Sequence, residues 1–478
     1  MRNEIADIPL PQRSPEHTVK IALQTRSGIR EAWLQVFVPR FNDDTPFIRI
    51  RAAEHQIWLE DWALWTKFES AGSKDGQSNL RVKVENFFWR LRQSRGAGPG
   101  KFELDLWAIP LDLTITREFG ASQNSPANEC FLSLTQNERA KPWTIFVRDR
   151  DGSRIIDRKD AKTLMLSDSC SIKLDEHFDW RVEGDETCRP RLVGEVVGAA
   201  NALEPFPIDK PLEDAILLLS FFTATRTMVT RISVLENGTL TERYFARFGD
   251  PERPSRLPFG EGLVHDKEIE ERFRDAWITW SALERRESLR LAIHALVPGN
   301  TQVIPLEFLR LFAAVEGLVK AFPGTVVPAT DLVRQTKHCV ALSKLSDSLR
   351  DRGICEDELK PLADAIENAG RLTFRQHFER FCNHWRVDTD DLWPMFAPQS
   401  AGLYYLRNRV VHGSDLSLDV QKAISVASSH LVFLLARCLL RILRSSVDGT
   451  YVHYPQGGHE DTMLAGLETA MDVVRRSK

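Results

Sequence analysis

Short alternations of apolar and polar residues dominate the first two hundred residues of the chain. The segments TVKIALQ, AWLQVFV and FIRIRA each alternate and then end at turn-forming or charged residues. A period of two is typical of a β-strand that has one buried face. The pattern therefore predicts a β-rich N-terminal domain over residues 1–205.

Two local signals refine this sheet. The alternation that starts at Phe102 resumes after Pro110 at Leu111, one residue out of register, which predicts a bulge or an edge. Asp151 and Gly152 lie between two β-prone runs, and this pair supplies the positive φ angles of a tight hairpin. We therefore expect a hairpin at that position.

An aromatic series interrupts the β pattern. Trp58, Trp62, Trp65 and Phe68 recur at helical spacing. An aromatic stripe on an amphipathic helix ordinarily faces the core, which is the interpretation we favour. A stacking platform for bases or sugars is the alternative.

Helical periodicity takes over after a proline-rich boundary, NALEPFPIDKP, near residue 205. Helix-spaced apolar residues run from Leu212 to Val229 and from Asp266 to Val297, with a β-hairpin predicted around Asn237 and Gly238. The sequence thus predicts a mainly helical connector over residues 206–300.

A helical domain is predicted over residues 301–446. Its first helix, between Pro305 and Phe322, has a continuous apolar face with Glu316 inside it. A buried carboxylate is rarely left unpaired, so Glu316 either reaches the surface beside the apolar stripe or meets a cation such as Arg407.

The most hydrophobic stretch of the chain lies near its end. Residues Leu431 to Leu443 are too few to span a bilayer and are interrupted by Arg437 and Arg441. We interpret this stretch as a core helix and expect no membrane association. Residues 447–478 are predicted to form a C-terminal tail with a short helix.

Composition narrows the class of protein. The 478 residues are 42% hydrophobic and 27% charged with a formal net charge of -4, which argues against an extended nucleic-acid coat. The seven cysteines include no C-x-x-C pair, so a disulfide framework is not expected. The first residues lack an apolar signal segment, and we expect a cytoplasmic protein.

The segment YYLRNRVVHG, from Tyr404 to Gly413, carries the clearest chemistry. It places Arg407, Asn408 and His412 at the end of a predicted helix. A fixed cation that binds a phosphate, together with a titratable imidazole, suits phosphodiester cleavage. The alternative is a purely structural role, in which Arg407 is a surface cation at a helix C-terminus and His412 is a capping residue.

Helical geometry sets a condition on this motif. At 100° per residue, Asn408 and His412 share the face opposite the core arc of Leu403, Leu406 and Val410, whereas Arg407 lies about 140° from His412. A regular helix therefore does not bring the arginine and the histidine together. Either Gly413 ends the helix and lets His412 turn toward Arg407, or two copies of the helix meet about a two-fold axis.

The motif and its context resemble the HEPN superfamily of nucleotide-binding and ribonuclease domains, most closely its ApeA-like branch. The leucine-rich helix with Glu316, a long helical insertion, LYYLRNRVVHG and a further apolar helix follow the HEPN order. The resemblance implies an α+β multidomain protein, with a β-rich domain followed by an all-α HEPN bundle. It also implies a homodimer that cuts RNA, tRNA included, without a metal or cofactor.

The resemblance also implies roles for individual residues. The R-x4-6-H motif of the family falls on Arg407 and His412, and its polar residue falls on Asn408. His412 would act as general acid or base on the ribose 2′-hydroxyl or the leaving oxygen, and Arg407 would hold the phosphate. Supporting positions are Glu316 and Arg409, and the candidates for stacking on an RNA base are Tyr404 and Tyr405.

Many proteins of this branch resemble antiphage toxins that halt growth by cutting host RNA. By that resemblance, the β-rich domain would restrain the nuclease until a phage-derived trigger appears. The alternative is a non-catalytic dimerisation or nucleotide-binding module whose β-rich domain binds a protein or another ligand. A zinc enzyme that uses His377, Cys382 and His384 is a third hypothesis.

Overall fold

The structure is a computed structural model of the whole chain, and its contacts divide the chain into two compact units. The first unit comprises Met1–Ser255 and Asp266–Arg274, and the second comprises Arg256–His265 and Asp275–Lys478. The described residues are 11, 14–25, 28–39, 45–53, 67–71, 80–96, 102–119, 129–135, 137–149, 152–159, 162–180, 188–198, 209–245, 262–297, 303–323, 329–352, 373–397, 401–413, 417–452 and 460–476.

Antiparallel strands build the first unit. They are β1 His17–Thr25, β2 Gly28–Phe37, β3 Phe47–Ala53, β4 Lys67–Ala71, β5 Leu80–Gly96, β6 Phe102–Glu118, β7 Glu129–Leu134, β8 Trp143–Asp149, β9 Gly152–Lys159, β10 Thr163–Ser167, β11 Cys170–Trp180, β12 Cys188–Val197, β13 Val229–Glu236 and β14 Thr239–Phe245. Within the described residues, β8 and β9 pair only with each other, and the other twelve strands form one sheet in the order β1-β2-β3-β6-β14-β13-β7-β12-β11-β10, with β5 on β6 and β4 on β5.

Alternation along each strand produces the core of the sheet. In β1, Val19 and Ile21 are buried while Lys20 between them is exposed. Successive side chains of a strand point to opposite faces, so one face collects the apolar residues. Buried residues from β1 to β6 form one cluster together with Tyr244 of β14.

The phase shift predicted at Pro110 is confirmed. Leu106 of β6 and, beyond the proline, Leu113 belong to the same core cluster although their numbers differ in parity. β6 nevertheless continues through Pro110, which pairs with Phe87 of β5. Proline has no backbone N–H to donate. On its other side β6 pairs with β3 only up to Ala108 and with β14 from Asp112 onward, so no second strand requires a hydrogen bond from Pro110.

The predicted hairpin at Asn237 and Gly238 is also confirmed, but it belongs to the first unit. Asn237 has a φ of 48° and Gly238 a φ of 77°, as a two-residue primed turn requires. Its strands lie inside the sheet, between β6 and β7. The first unit therefore extends well beyond the predicted boundary at residue 205, because a sequentially distant hairpin completes its sheet.

Two other predictions in this half need correction. β8 and β9 form the predicted hairpin, but Gly152 pairs with Asp149 and is the first residue of β9 rather than a turn residue. Asp151 lies outside the described residues. Phe68 lies in strand β4 and not in a helix. The tryptophans of the predicted aromatic helix, Trp58, Trp62 and Trp65, lie outside the described residues.

Helices follow and surround the hairpin. They are α1 Asp209–Thr223, α2 Ile269–Ala282, α3 Arg286–Leu296, α4 Ile304–Ala321, α5 Ala329–Asp351, α6 Phe374–Trp385, α7 Leu403–Val411, α8 Leu418–Ile442 and α9 Glu460–Arg476. The fold is thus an N-terminal antiparallel β-sheet region followed by a C-terminal helical region. The predicted connector, residues 206–300, is divided between the two units.

α8 is the central helix of the second unit. Most of its residues from Ala427 to Ile442 are buried, including Arg437. It is long and apolar enough to cross a membrane by length and composition, but 83% of its apolar window is buried inside the protein. That burial agrees with the predicted core helix, which begins well before Leu431.

The C-terminal helix is longer than predicted. A short helix was expected, whereas α9 has 17 residues. Leu467, Ala470 and Val474 are buried on one face at helical spacing. α9 is therefore part of the compact helical unit and not an appendage to it.

Candidate active site

Backbone carbonyls of the preceding loop position the start of α7, the helix that carries the arginine and histidine motif. The N–H groups of Leu403 and Tyr404 donate to the oxygens of Pro394 and Met395, each at 3.1 Å. These bonds satisfy two of the four N–H groups that a helix start leaves free. A Cβ atom on Gly402, the N-cap residue, would lie 2.6 Å from the Met395 oxygen, so the helix start and the loop pack too closely for a side chain.

A buried arginine holds that loop on α8. Arg437 is 3% exposed, and its Nη1 and Nη2 atoms each lie 2.6 Å from a carboxylate oxygen of Asp391. Nη1 also donates to the Asp388 oxygen at 2.9 Å. Burial raises the pKa of the Asp391 carboxyl, but the hydrogen bonds and charge of Arg437 outweigh it and leave that pKa below its ordinary value.

A buried histidine fixes the loop at a second point. The N–H of Trp393 donates to Nδ1 of His430 on α8 at 3.2 Å, and Nε1 of Trp393 donates to the Ala401 oxygen at 2.7 Å. Burial lowers the pKa of His430 to about 4, the charge of Asp391 opposes this shift, and that of Arg437 adds to it. The imidazole is therefore neutral at pH 7 and serves as an acceptor.

Arg407, the cation of the motif, lies between two oxygen acceptors. Its Nη2 is 3.7 Å from Oε2 of Glu316 on α4, and its Nη1 donates to Oδ1 of Asn408 at 3.1 Å. The Arg407 side chain is 32% exposed and that of Glu316 19% exposed. Of the two alternatives for Glu316, the structure has the contact with Arg407. The guanidinium keeps N–H groups for a further acceptor, because these contacts use only part of its five donors.

His412 lies at the end of α7. As the C-cap residue it donates its backbone N–H to the Asn408 oxygen at 2.9 Å. Gly413 follows with a φ of +67°, the left-handed conformation that commonly ends a helix. The His412 side chain is exposed and, within the described part of the chain, makes no hydrogen bond with Arg407 or Asn408. The helix stop is present as predicted, but in one chain it does not join the histidine to the arginine.

The supporting residues have separate roles. Nη1 of Arg409 lies 3.4 Å from the Val474 oxygen, so this residue links α7 to α9. The ring of Tyr404 stacks on Phe374 with centroids 5.7 Å apart and also lies close to Phe312 and Phe396. Tyr404 is thus a packing residue in this chain. Tyr405 is half-buried.

The zinc hypothesis gains no support from the arrangement of its residues. His377, Cys382 and His384 all lie on α6, and among the residues described, no group of three or more His, Cys, Asp or Glu side chains could hold a metal ion. Burial raises the pKa of the Cys382 thiol to about 12, aided by the charge of Glu379. A neutral thiol is a poor zinc ligand.

Sequence reasoning missed the residues that hold the site in place. Asp391, Trp393 and His430 were not identified, and Arg437 was noted only as an interruption of an apolar run. The available signal was an arginine inside an apolar helix, because a buried cation requires an acidic partner. The sequence shows that such a partner is needed, but it does not show where the partner lies.

The arrangement has a defined chemical capacity. A guanidinium that is oriented by a carboxylate and an amide can bind one phosphate through its remaining donors. An exposed imidazole on the following turn is a side chain that can act as general acid or base. Comparison of the chain with protein-family models, with curated proteins and with solved structures finds no match.

Proposed function

We propose that this protein is a metal-independent endoribonuclease of the HEPN type. The observation that carries the proposal is the Arg407 guanidinium, which is held by Glu316 at 3.7 Å and Asn408 at 3.1 Å on the helix that ends at His412. Such an ion pair is expected of a preorganised phosphate-binding group, since its geometry is set before the substrate arrives. A surface cation that merely complements the helix dipole requires no such partners.

In the proposed reaction the RNA supplies its own nucleophile. The imidazole of His412 accepts the proton of a ribose 2′-hydroxyl, whose oxygen attacks the adjacent phosphorus. The bond from phosphorus to the 5′-oxygen breaks, and that oxygen leaves with a proton from a second acid. The products end in a 2′,3′-cyclic phosphate and a 5′-hydroxyl. Arg407 neutralises the charge that develops on the non-bridging oxygens.

The second acid is the reason for proposing a homodimer. A single chain offers one exposed His412, and in the described part of the chain this side chain makes no hydrogen bond with Arg407. Two copies related by a two-fold axis would supply two imidazoles, one as base and one as acid, on either side of the phosphate. A site completed only by the partner copy also accounts for an Arg407 that is partly exposed in one chain.

The decisive test is cleavage of a 5′-labelled single-stranded RNA by purified protein. We expect cleavage in EDTA, cyclic-phosphate ends on the 5′ fragments, and a loss of at least a hundredfold in His412→Ala and Arg407→Ala. His294→Ala is the matched control, since His294 is an exposed histidine in the last turn of α3. Equal activity in wild type and His412→Ala would contradict the proposal.

We further propose a role in antiphage defence, in which the β-rich unit restrains cleavage until a phage-derived trigger appears. The two-unit organisation is the basis for this proposal. Expression in a bacterial host should arrest growth of infected cells with the wild-type protein and not with His412→Ala. Protection that survives in His412→Ala would instead favour a non-catalytic binding module.

A further inference from the structure

Three aromatic rings form a partly exposed platform beside the candidate active site. They belong to Phe374 at the start of α6, Phe396 in the loop before α7, and Tyr404 in the first turn of α7. The ring of Phe374 lies 5.7 Å from that of Tyr404 and 5.8 Å from that of Phe396, and the last two are 5.4 Å apart. All three residues are half-buried, and we call them the aromatic platform.

Two buried rings support the aromatic platform from the core. Phe312 of α4 is 1% exposed, and its ring lies 6.0 Å from that of Phe374 and 6.3 Å from that of Tyr404. Phe378 of α6 is 7% exposed, and its ring lies 6.2 Å from Phe374 and 6.1 Å from Phe396. Aromatic rings at such distances attract each other beyond the effect of burial. The platform is therefore fixed by packing before any ligand binds.

The two helices that hold Arg407 also place the aromatic platform next to it. On α4, Phe312 lies four residues before Glu316, and on α7, Tyr404 lies three residues before Arg407. Phe312 contacts Tyr404, and Glu316 contacts Arg407, so α4 and α7 meet at both levels. These levels are about one helical turn apart, or about 5.4 Å along the axis. A nucleotide whose phosphate binds Arg407 can therefore reach the platform with its base.

The ring of Phe396 already receives a planar group from the solvent side. The guanidinium of Arg375 lies over this ring, 5.7 Å from its centre. The Arg375 side chain is 63% exposed and pairs with Glu379 at 2.8 Å. Because an exposed ion pair contributes little, the guanidinium can be displaced at small cost. An unpaired nucleobase is also planar and stacks on aromatic side chains in the same manner.

We propose that Phe374, Phe396 and Tyr404 form a base-binding subsite, which stacks on the nucleobase next to the phosphate held by Arg407. The inference rests on the proposed function, and it adds the part of the RNA that is recognised. A base inside a duplex is not free to stack on a side chain, so the subsite selects single-stranded RNA. Stacking tolerates every base, but the larger face of a purine should bind more tightly than that of a pyrimidine.

The test compares strands with and without a base, and it measures binding separately from cleavage. A labelled 2′-O-methyl tetra-adenylate has no 2′-hydroxyl to attack, so its dissociation constant can be measured by fluorescence anisotropy. In versions of this strand, each adenine in turn is replaced by an abasic site. For the wild type, we expect the loss of one particular base to weaken binding about tenfold or more. This dependence on the base should largely disappear in Phe374→Leu and in Phe396→Leu.

Two further variants separate stacking from folding. Phe374→Tyr keeps an aromatic ring and should retain the dependence on the base. Phe308→Leu is the matched control, because Phe308 is a buried residue of α4 whose ring lies 6.1 Å from that of Phe312 and, among the described rings, contacts no member of the platform. Phe308→Leu should lower the thermal stability, yet the intact and abasic strands should differ in affinity as they do for the wild type.

The outcomes distinguish this inference from the ribonuclease proposal. If the wild type binds intact and abasic strands equally while it still cuts RNA, the base subsite is wrong and the ribonuclease proposal stands. If Phe308→Leu loses the dependence on the base as fully as Phe374→Leu, the platform does not contact the base. A dependence that Phe374→Leu abolishes, in a protein that cuts no RNA, would keep the subsite as a binding site and reject the ribonuclease.

Discussion

Glu316 Oε2 lies 3.7 Å from Nη2 of Arg407, so a carboxylate on α4 orients the guanidinium that α7 presents. The two helices are far apart in sequence, and α6 lies between them along the chain. Both side chains are partly shielded from solvent, which strengthens the interaction relative to a surface ion pair. The contact therefore fixes the guanidinium of Arg407 relative to α4.

Replacement of the carboxylate tests this orientation. In Glu316→Gln the guanidinium loses an anionic partner but retains a hydrogen-bond acceptor. We expect kcat/KM for RNA cleavage to fall about tenfold, equivalent to about 1.4 kcal/mol. In a double-mutant cycle, the loss in Glu316→Gln should largely disappear when Arg407 is already alanine, because the glutamate acts through the arginine.

The exposed pair of Arg375 and Glu379 on α6 provides the control. Its atoms lie closer, at 2.8 Å, but the side chains are 63% and 54% exposed. Glu379→Gln should leave cleavage unchanged, since exposed pairs on a helix contribute little. Additive losses for Glu316 and Arg407 would show that the carboxylate does not act through the guanidinium.

Gly413 provides a second prediction because its φ of +67° lies in the left-handed region. A Cβ atom there would meet nothing within 4 Å, so only the backbone conformation opposes a side chain. Gly413→Ala should lower the free energy of unfolding by about 1 kcal/mol, and Gly413→Asn by less, because asparagine tolerates this conformation better. Urea denaturation measures both changes.

Gly317 is the matched control for that substitution. It lies inside α4, and its Cβ position is equally open. Gly317→Ala should therefore raise stability by up to about 1 kcal/mol, since alanine favours a helix interior. If Gly413→Ala raised stability as Gly317→Ala does, the left-handed stop at Gly413 would be ruled out.

The sequence predicted those features that depend on neighbouring residues. Local residue spacing predicts the strand phase shift at Pro110 and the primed turn at Asn237. The structure contains both. The pairing of Glu316 with Arg407 was one of two alternatives, because a carboxylate inside an apolar stripe either reaches solvent or meets a cation. Local spacing alone could not choose between them, since the cation lies on a distant helix.

Features that depend on distant strands or loops could not be predicted in the same way. The hairpin at Asn237 was expected in a connector, yet it completes the sheet, because strand order is not encoded in local periodicity. Arg437 was recognisable as a charge in an apolar helix. Its partner Asp391 lies in a loop without periodicity, so no pattern pointed to it.

The buried histidine gives a prediction for pH. His430 has a folded pKa of about 4 against an ordinary value of 6.5, so between these values the unfolded chain binds more protons than the folded chain. Its contribution to stability is complete above pH 6.5 and is lost as the pH falls toward 4, by about 3 kcal/mol in total. His430→Asn keeps an acceptor for Trp393 but cannot titrate, so its stability should depend less on pH.

Unfolding by urea at several pH values, compared between wild type and His430→Asn, isolates this contribution. The pKa of Asp391 lies below its ordinary value of 3.8. The stability that Asp391 contributes is therefore lost only at pH values below this window. His384→Asn removes an exposed histidine from α6 and should retain the wild-type dependence. If the free energy of unfolding changed equally with pH in wild type and His430→Asn, a neutral buried imidazole would be contradicted.

The burial of α8 distinguishes a core helix from a membrane-spanning one. Leu435 is 0% exposed, whereas Leu418 at the start of the same helix is 68% exposed. Leu435→Ala should lower the free energy of unfolding by about 3 kcal/mol, because it removes buried methyl groups and leaves a cavity. Leu418→Ala should change it by no more than about 0.5 kcal/mol. A helix in lipid would depend on both leucines for insertion, so equal effects, or a need for detergent to keep the wild-type protein in solution, would reject the core assignment.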